Sequence, residues 1–215
     1  MPRLVTFGCS FTYGHSLPDC YIGNGCPSDS PSKYAWPSLL AEKLGYDCLN
    51  LSASGSDNYQ ILLDILRTDF KQDDVVVIGY SYFDRYEYYQ LINRDGEGHQ
   101  LSKKTKDIQH RKEINKSMLT TLLGDTNIKN NNQRYWNNWL SIQHAEMLLH
   151  SKNIQNYSFL NVPEIAQENK PDLIELNNFF DDIQLTFKDY ALDKEHPGME
   201  THRLQAEQLY SMIAL

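Results

Sequence analysis

The sequence predicts an α/β protein, a three-layer α/β/α sandwich on a parallel sheet. Three observations carry this. The run Val75-Val76-Val77-Ile78 places four β-branched residues in succession between Asp74 and Gly79. Such a run suits a strand buried on both faces, as strands of parallel sheets are. The shorter run Leu4-Val5-Thr6-Phe7 ends in Gly8 and reads as a buried first strand. Between these runs, helical and strand-like stretches alternate, and a strand–helix–strand–helix–strand opening favours parallel pairing.

The elements follow in order. Residues 14–34 are rich in Gly, Pro, Ser, Asp and Cys and read as a long loop. A helix starts near Trp36: Pro37 suits a first turn, Leu39, Leu40 and Leu44 share a face, and Gly45 is a stop. Residues 46–51 form the second strand, and the small residues 52–57 a turn. Residues 58–70 form a helix with Ile61, Leu62, Ile65 and Leu66 on one side. Residues 74–79 are the third strand. Beyond it the pattern weakens, with a helix expected near 111–123 and a loop through Asn130-Asn131-Asn132. Residues 135–151 form a helix whose apolar stripe includes Trp136, Trp139, Leu140, Met147 and Leu148, the tryptophans being core residues. Residues 155–162 form a fourth strand, 171–190 are helical or irregular, and 197–214 form a final amphipathic helix with Leu204, Leu209, Met212 and Ile213 inward.

The chain has 215 residues and a formal net charge of −8, with 40% hydrophobic and 22% charged residues, which is a globular composition. One domain is expected over residues 1–215, with an insertion at about 85–135. No apolar run approaches the ~20 residues of a membrane helix, so no membrane partner is expected. The acidic balance argues against a nucleic-acid partner. Residues 101–135 are the exception, with 8 basic against 3 acidic side chains, and read as a solvated face. Met1-Pro2-Arg3 runs directly into the first strand, so a cytoplasmic location and reduced thiols are expected. The four cysteines, Cys9, Cys20, Cys26 and Cys48, show no zinc-type spacing, and Cys9 and Cys48 are expected to be buried.

Ligands of open parallel sheets bind beyond the carboxyl ends of the strands. Three loops leave such ends here: Gly8-Cys9-Ser10-Phe11-Thr12-Tyr13-Gly14, then Ser52-Ala53-Ser54-Gly55-Ser56-Asp57-Asn58, then Gly79-Tyr80-Ser81-Tyr82. Small residues let backbone N–H groups approach a ligand. Near the end comes Asp193-Lys194-Glu195-His196-Pro197. A serine attacks a carbonyl when a base takes its proton, and the base needs a carboxylate to hold its tautomer. Asp193 and His196, three residues apart, can pair in one turn, and Ser10 is the candidate nucleophile. The backbones of Ser10 and Gly55 can offer N–H donors to a developing oxyanion.

These motifs resemble the SGNH (GDSL-type) hydrolases. Gly8-Cys9-Ser10-Phe11-Thr12 resembles the family's first block, with Cys9 where Asp is frequent. Gly55 matches the glycine block, and Asp193-Lys194-Glu195-His196-Pro197 the final D-x-x-H-P block. The G-C-S-F-T-x-G variant resembles proteins of tailed-phage and bacterial genomes. The resemblance implies a flavodoxin-like sheet and a serine-dependent hydrolase of small acyl esters (an O-acetylated carbohydrate, a lipid or a thioester) with the catalytic residues Ser10, Asp193 and His196. No cofactor is implied. One position departs: where the family has G-x-N, this sequence reads Gly79-Tyr80-Ser81. Ser81 or Asn58 then completes the oxyanion hole, or the hole is weak; Asn58 has the amide chemistry and is expected to matter more. The alternative is a catalytically weak or inactive SGNH-fold binding or structural protein, virion-associated for instance. The absent third-block Asn and the aromatic residues between Tyr80 and Tyr89 favour it. No metal site is expected: His202 follows His196 by six residues, without a metal-binding spacing.

Overall fold

The computed structural model describes residues 1–22, 28–83, 85–93, 99–107, 131–161, 174, 176–180, 183 and 186–214; for 85–93, 99–107 and 131–134 it describes the backbone. The elements are β1 (Arg3–Gly8), α1 (Ser10–Tyr13), α2 (Trp36–Leu44), β2 (Asp47–Asn50), α3 (Asn58–Arg67), β3 (Val75–Tyr80), β4 (Arg85–Asn93), β5 (His99–Asp107), α4 (Asn131–Ser151), β6 (Gln155–Leu160), β7 (Phe179–Phe180) and α5 (Met199–Ile213). The main sheet runs β2-β1-β3-β6-β7, and all its pairings are parallel. Taken in chain order, these five strands stand 2-1-3-4-5, the flavodoxin-like arrangement. The order reverses between β1 and β3, so the crevice for a ligand opens at their carboxyl ends, where Gly8 pairs with Gly79.

Side-chain alternation explains the valine run. Val76 and Ile78, with Val5 and Phe7 of β1, face a core shared with Ile61 and Ile65 of α3 and Trp139, Ile142 and Leu149 of α4. Val75 and Val77, with Leu4, face the opposite core against Trp36 and Leu40 of α2 and Leu209 of α5. Each fully buried aliphatic side chain is worth roughly 1.5–3 kcal/mol, so a run that serves both faces locks β3 at the centre. Arg3 and Asp74 close the opposite end of the sheet as a bidentate pair, Nε to Oδ1 at 2.8 Å and Nη2 to Oδ2 at 2.6 Å.

Several expectations needed correction. The stripe of α4 is rotated: Trp139 is buried, but Trp136, Leu140 and Met147 are exposed. The inward face includes Glu146, a polar residue at a core position, which disguised the periodicity. On α5, Leu209 is buried and Met212 and Ile213 pack on the core as expected, while Leu204 is absent from the core cluster and Thr201, His202 and Gln205 are buried beside Leu209. Cys48 lies exposed on the edge strand β2, whereas Cys9 is buried. The third helix ends at Arg67, three residues early, where Thr68 turns to extended backbone. In the 171–190 stretch, Phe179–Phe180 extends the sheet beside β6. The antiparallel hairpin β4–β5 lies in the expected insertion and was not anticipated. The helix expected near 111–123 and Cys26 lie outside the described residues. No helix among the described residues is long and apolar enough to cross a membrane.

Candidate active site

The first loop is built around a close approach. A Cβ on Gly8 would sit 2.6 Å from Thr12 Cβ and 2.8 Å from the Gly79 carbonyl oxygen, so only glycine fits where β1 hands over to α1. Cys9 is extended, and its carbonyl accepts the N–H groups of Thr12 and Tyr13, each at 3.0 Å. Ser10 therefore opens a single helical turn; it is 4% exposed. Its N–H belongs to the donors a helix start leaves without an intrahelical acceptor. Gly14 ends the turn at φ +80°, a left-handed conformation that suits glycine. That reversal brings the His15 N–H onto the Ser10 carbonyl at 3.0 Å.

The second loop docks on the first: Ala53 N–H donates to Gly8 O at 3.2 Å. Gly55 takes φ +88° inside a turn closed by Ser56 N–H on Ala53 O at 3.2 Å. Asp57 caps α3 by accepting the Gln60 N–H at 2.8 Å.

The last loop carries the titratable pair. Ala191 N–H donates to His196 O at 2.8 Å, which closes the turn, and Leu192 N–H donates to Ser16 O at 3.1 Å, which ties it to the first loop. Lys194 lies at φ 62°. Within the turn, Asp193 Oδ1 accepts the N–H groups of Glu195 and His196 at 2.9 and 3.0 Å, while Oδ2 meets His196 Nδ1 at 2.6 Å. Partial burial opposes the Asp193 charge, but the N–H groups of Glu195 and His196, with smaller contributions from the Ser16 and His196 side chains, outweigh it and hold the carboxyl well below the usual carboxylate range. Immediately upstream, Asp189 accepts the N–H groups of Glu200 and Thr201 at 3.0 and 2.8 Å and so pins the start of α5.

The His196 ring lies against α1, 5.7 Å from the Phe11 ring. Phe11 also meets Tyr82 at 5.6 Å and Phe187 at 5.8 Å, and Phe187 stacks on Tyr190 at 5.5 Å and 9°. Tyr190 is 61% exposed, so this aromatic wall reaches solvent beside the histidine.

The oxyanion candidates divide. Ser10 and Gly55 lie on loops tied together through Gly8. Asn58 is fully buried: Oδ1 accepts the Ser81 N–H at 2.7 Å, and Nδ2 donates to Asn138 Oδ1 at 2.7 Å and Ser81 O at 3.3 Å. Both ends of its amide thus serve the backbone and α4, which differs from the expectation of a donor aimed at substrate. Ser81 is held by this clamp and is buried. His202 is buried away from solvent, and its Nδ1 accepts the Trp36 N–H at 3.2 Å. Burial lowers its pKa to about 4, which keeps the ring neutral.

Two residues escaped the sequence reading. Asn161, just after β6, donates to the carbonyls of Gly79 and Tyr80, each at 3.0 Å, and so fixes the exit of β3. His15 meets Ser54 Oγ through Nδ1 at 2.8 Å, and its ring centroid lies 4.4 Å from that of His196. No motif marks either residue; a histidine just past the first block was the available signal for His15. Of the expected aromatic cluster, Tyr80 is fully buried in the core and Tyr82 joins the wall, while the side chains of Tyr86, Tyr88 and Tyr89 lie outside the described residues.

Sheet order and loop placement define an α/β/α protein on a flavodoxin-like parallel sheet, and solved structures share this fold. Over 99% of its length the chain superposes on a carbohydrate esterase whose active site is described as having divergent catalytic and non-catalytic binding functions, with a TM-score of 0.57 and 15% identity. The acetyl xylan esterase Est2A from the rumen bacterium Butyrivibrio proteoclasticus gives a TM-score of 0.57 at 15% identity over 98% of this chain. TesA gives 0.51 at 13% identity, covering 98% of this chain and 97% of its own. The chain spans only 64% and 63% of the first two. No family model and no curated protein sequence matches. The likeness is one of fold: the chain has the fold of the SGNH (GDSL-type) esterases.

Proposed function

We propose that this protein hydrolyses small acyl esters through Ser10, His196 and Asp193. The observation that carries the reading is the Asp193–His196 hydrogen bond, 2.6 Å at Nδ1, on a turn tied to the loop that follows Ser10. A charged Asp193 on Nδ1 keeps the proton there and leaves Nε2 as the base. Ser10 Oγ attacks the ester carbonyl as its proton passes to Nε2. The oxyanion forms against the N–H groups of Ser10 and Gly55. Collapse expels the alcohol, which takes the proton from His196, and leaves an acyl-serine that water cleaves by the same steps in reverse order. Neither a cofactor nor a metal enters this chemistry.

An O-acylated carbohydrate is the substrate class best supported. Two of the similar structures are carbohydrate esterases by name, and the exposed Tyr190–Phe187 stack offers a flat apolar face beside the histidine.

A second reading is a non-catalytic binding module of the same fold. The specific observation in its favour is the engagement of Asn58 with Ser81 and Asn138 at the third loop, where the family pattern would supply an amide donor. Labelling with a fluorophosphonate probe separates the two. Covalent modification that is lost in Ser10→Ala, together with turnover of an acetylated sugar or p-nitrophenyl acetate, supports the esterase. Folded protein that neither labels nor turns over ester supports the binding module.

A further inference from the structure

We infer that His15, Asp193 and His196 form a binding site for a divalent transition-metal ion, Zn²⁺ foremost, and that occupation of this site switches the esterase off. His15 lies 178 residues before Asp193 in the chain, and the fold brings the three together. One donor atom from each lies within 4.8 Å of the other two. His15 Nε2 stands 4.0 Å from Asp193 Oδ2, the oxygen that lies 2.6 Å from His196 Nδ1.

The donor set is two imidazole nitrogens and one carboxylate oxygen. That combination favours zinc and its first-row neighbours over magnesium or calcium, which prefer all-oxygen sites. Bonds to zinc of about 2.0–2.2 Å are reached by small ring rotations from these separations. The Ser54 hydroxyl lies 2.8 Å from His15 Nδ1; in the tautomer in which Nδ1–H donates to it, the Nε2 lone pair faces Asp193. An anchored second nitrogen is the usual support of a metal-bound histidine. The three side chains are 13–19% exposed, so an ion has access and solvent can complete the coordination.

The consequence for catalysis follows from the tautomer. In the catalytic arrangement the neutral His196 ring carries its proton on Nδ1 and offers Nε2 to Ser10. An ion held by Nδ1 and Asp193 Oδ2 leaves that single proton on Nε2. The ring then cannot take a proton from Ser10, and Asp193 serves the ion. The Nδ1–H bond of His196 breaks and an Nε2–H bond forms, with water carrying the proton between the two nitrogens; the net protonation of the ring is unchanged, and removing the ion restores the base. The inhibition half of this inference rests on the esterase reading; the metal site does not.

The test is calorimetric titration of Zn²⁺ into the chelator-free full chain, beside ester turnover with and without Zn²⁺. One ion should bind per chain, in wild type and in Ser10→Ala. His15→Gln should bind at least about tenfold more weakly. The rate ratio with and without Zn²⁺ should fall in wild type at the concentration where binding is half complete, recover with EDTA, and need at least about tenfold more Zn²⁺ in His15→Gln. Should His15→Gln fold poorly, Co²⁺ replaces the variant: intense visible absorption on wild type, displaced by Zn²⁺, reports a low-coordinate site with nitrogen ligands. Absence of 1:1 binding, equal affinity in folded His15→Gln, or bound Zn²⁺ without loss of rate overturns the proposal. If wild type turns over no ester, the titration still decides the site; if ester is cleaved but no ion binds, this proposal alone falls.

Discussion

Asn58 grips both backbone polar groups of Ser81: its Oδ1 accepts the Ser81 N–H at 2.7 Å and its Nδ2 donates to the Ser81 carbonyl at 3.3 Å. The amide thus replaces the ladder partner that Ser81 loses where β3 ends. Asn58→Ala would leave a buried N–H and the Asn138 side chain without this partner. We expect a loss of about 1–3 kcal/mol, read as a lower midpoint in thermal or urea unfolding. Asn58→Asp keeps an acceptor for the Ser81 N–H but sets a buried carboxylate oxygen against the Asn138 and Ser81 oxygens, so it should not recover the loss. A stability unchanged by Asn58→Ala, with turnover falling about 10²-fold or more, would instead mark Asn58 as an oxyanion donor.

Asp193→Asn tests the orienting carboxylate. The new side-chain oxygen can still accept the Glu195 and His196 N–H groups, so the turn should fold. Its NH₂ would then face Nδ1 and force the proton onto Nε2. Turnover should fall by about 10²–10⁴ with little change in apparent KM. Loss below tenfold, with the circular dichroism spectrum unchanged, would remove Asp193 from the mechanism.

Glu146 makes stability depend on pH. It is buried on α4, where desolvation raises its pKa to about 7 against hydrogen bonds from Ser158 and Asn156 that favour the charge. Its folded pKa exceeds the unfolded value of ~4.3. The folded state therefore binds more protons between those values, and stability falls as pH rises from about 4.5 to about 7. Glu146→Gln should flatten that slope, a difference of order 3 kcal/mol across the window. Unfolding midpoints measured at pH 5 and pH 8 check it; identical slopes in both proteins would refute it.

Gly8→Ala should fail where most surface glycines tolerate the change. Its methyl group would meet the Gly79 carbonyl and the Thr12 side chain well inside contact distance. Overpacking of this kind costs about 1–3 kcal/mol, occasionally more. We expect a lowered unfolding midpoint and, in the protein that folds, reduced turnover from displacement of Ser10.

The sequence by itself determined the layers and the loops. A run of β-branched residues has one economical environment, a strand covered on both faces, and Val75–Ile78 reports it without reference to anything distant. Gly8, Gly14 and Gly55 are readable for the same reason: each answers a local demand, a close contact or a positive φ. Asp193 and His196 were legible because three residues in one turn suffice to join them. Tertiary structure alone decided what depends on distant partners. Glu146 hides in a helix stripe because Ser158, on another element, satisfies it. Asn58 looked like a free amide until Ser81 and Asn138 occupied both its ends. His15 carries no local signature, and it comes beside Asp193 only because the Gly14 reversal and the Leu192–Ser16 hydrogen bond bring two chain ends together. Local backbone preference is written in neighbouring residues, whereas the partner of a polar side chain is set by the whole fold.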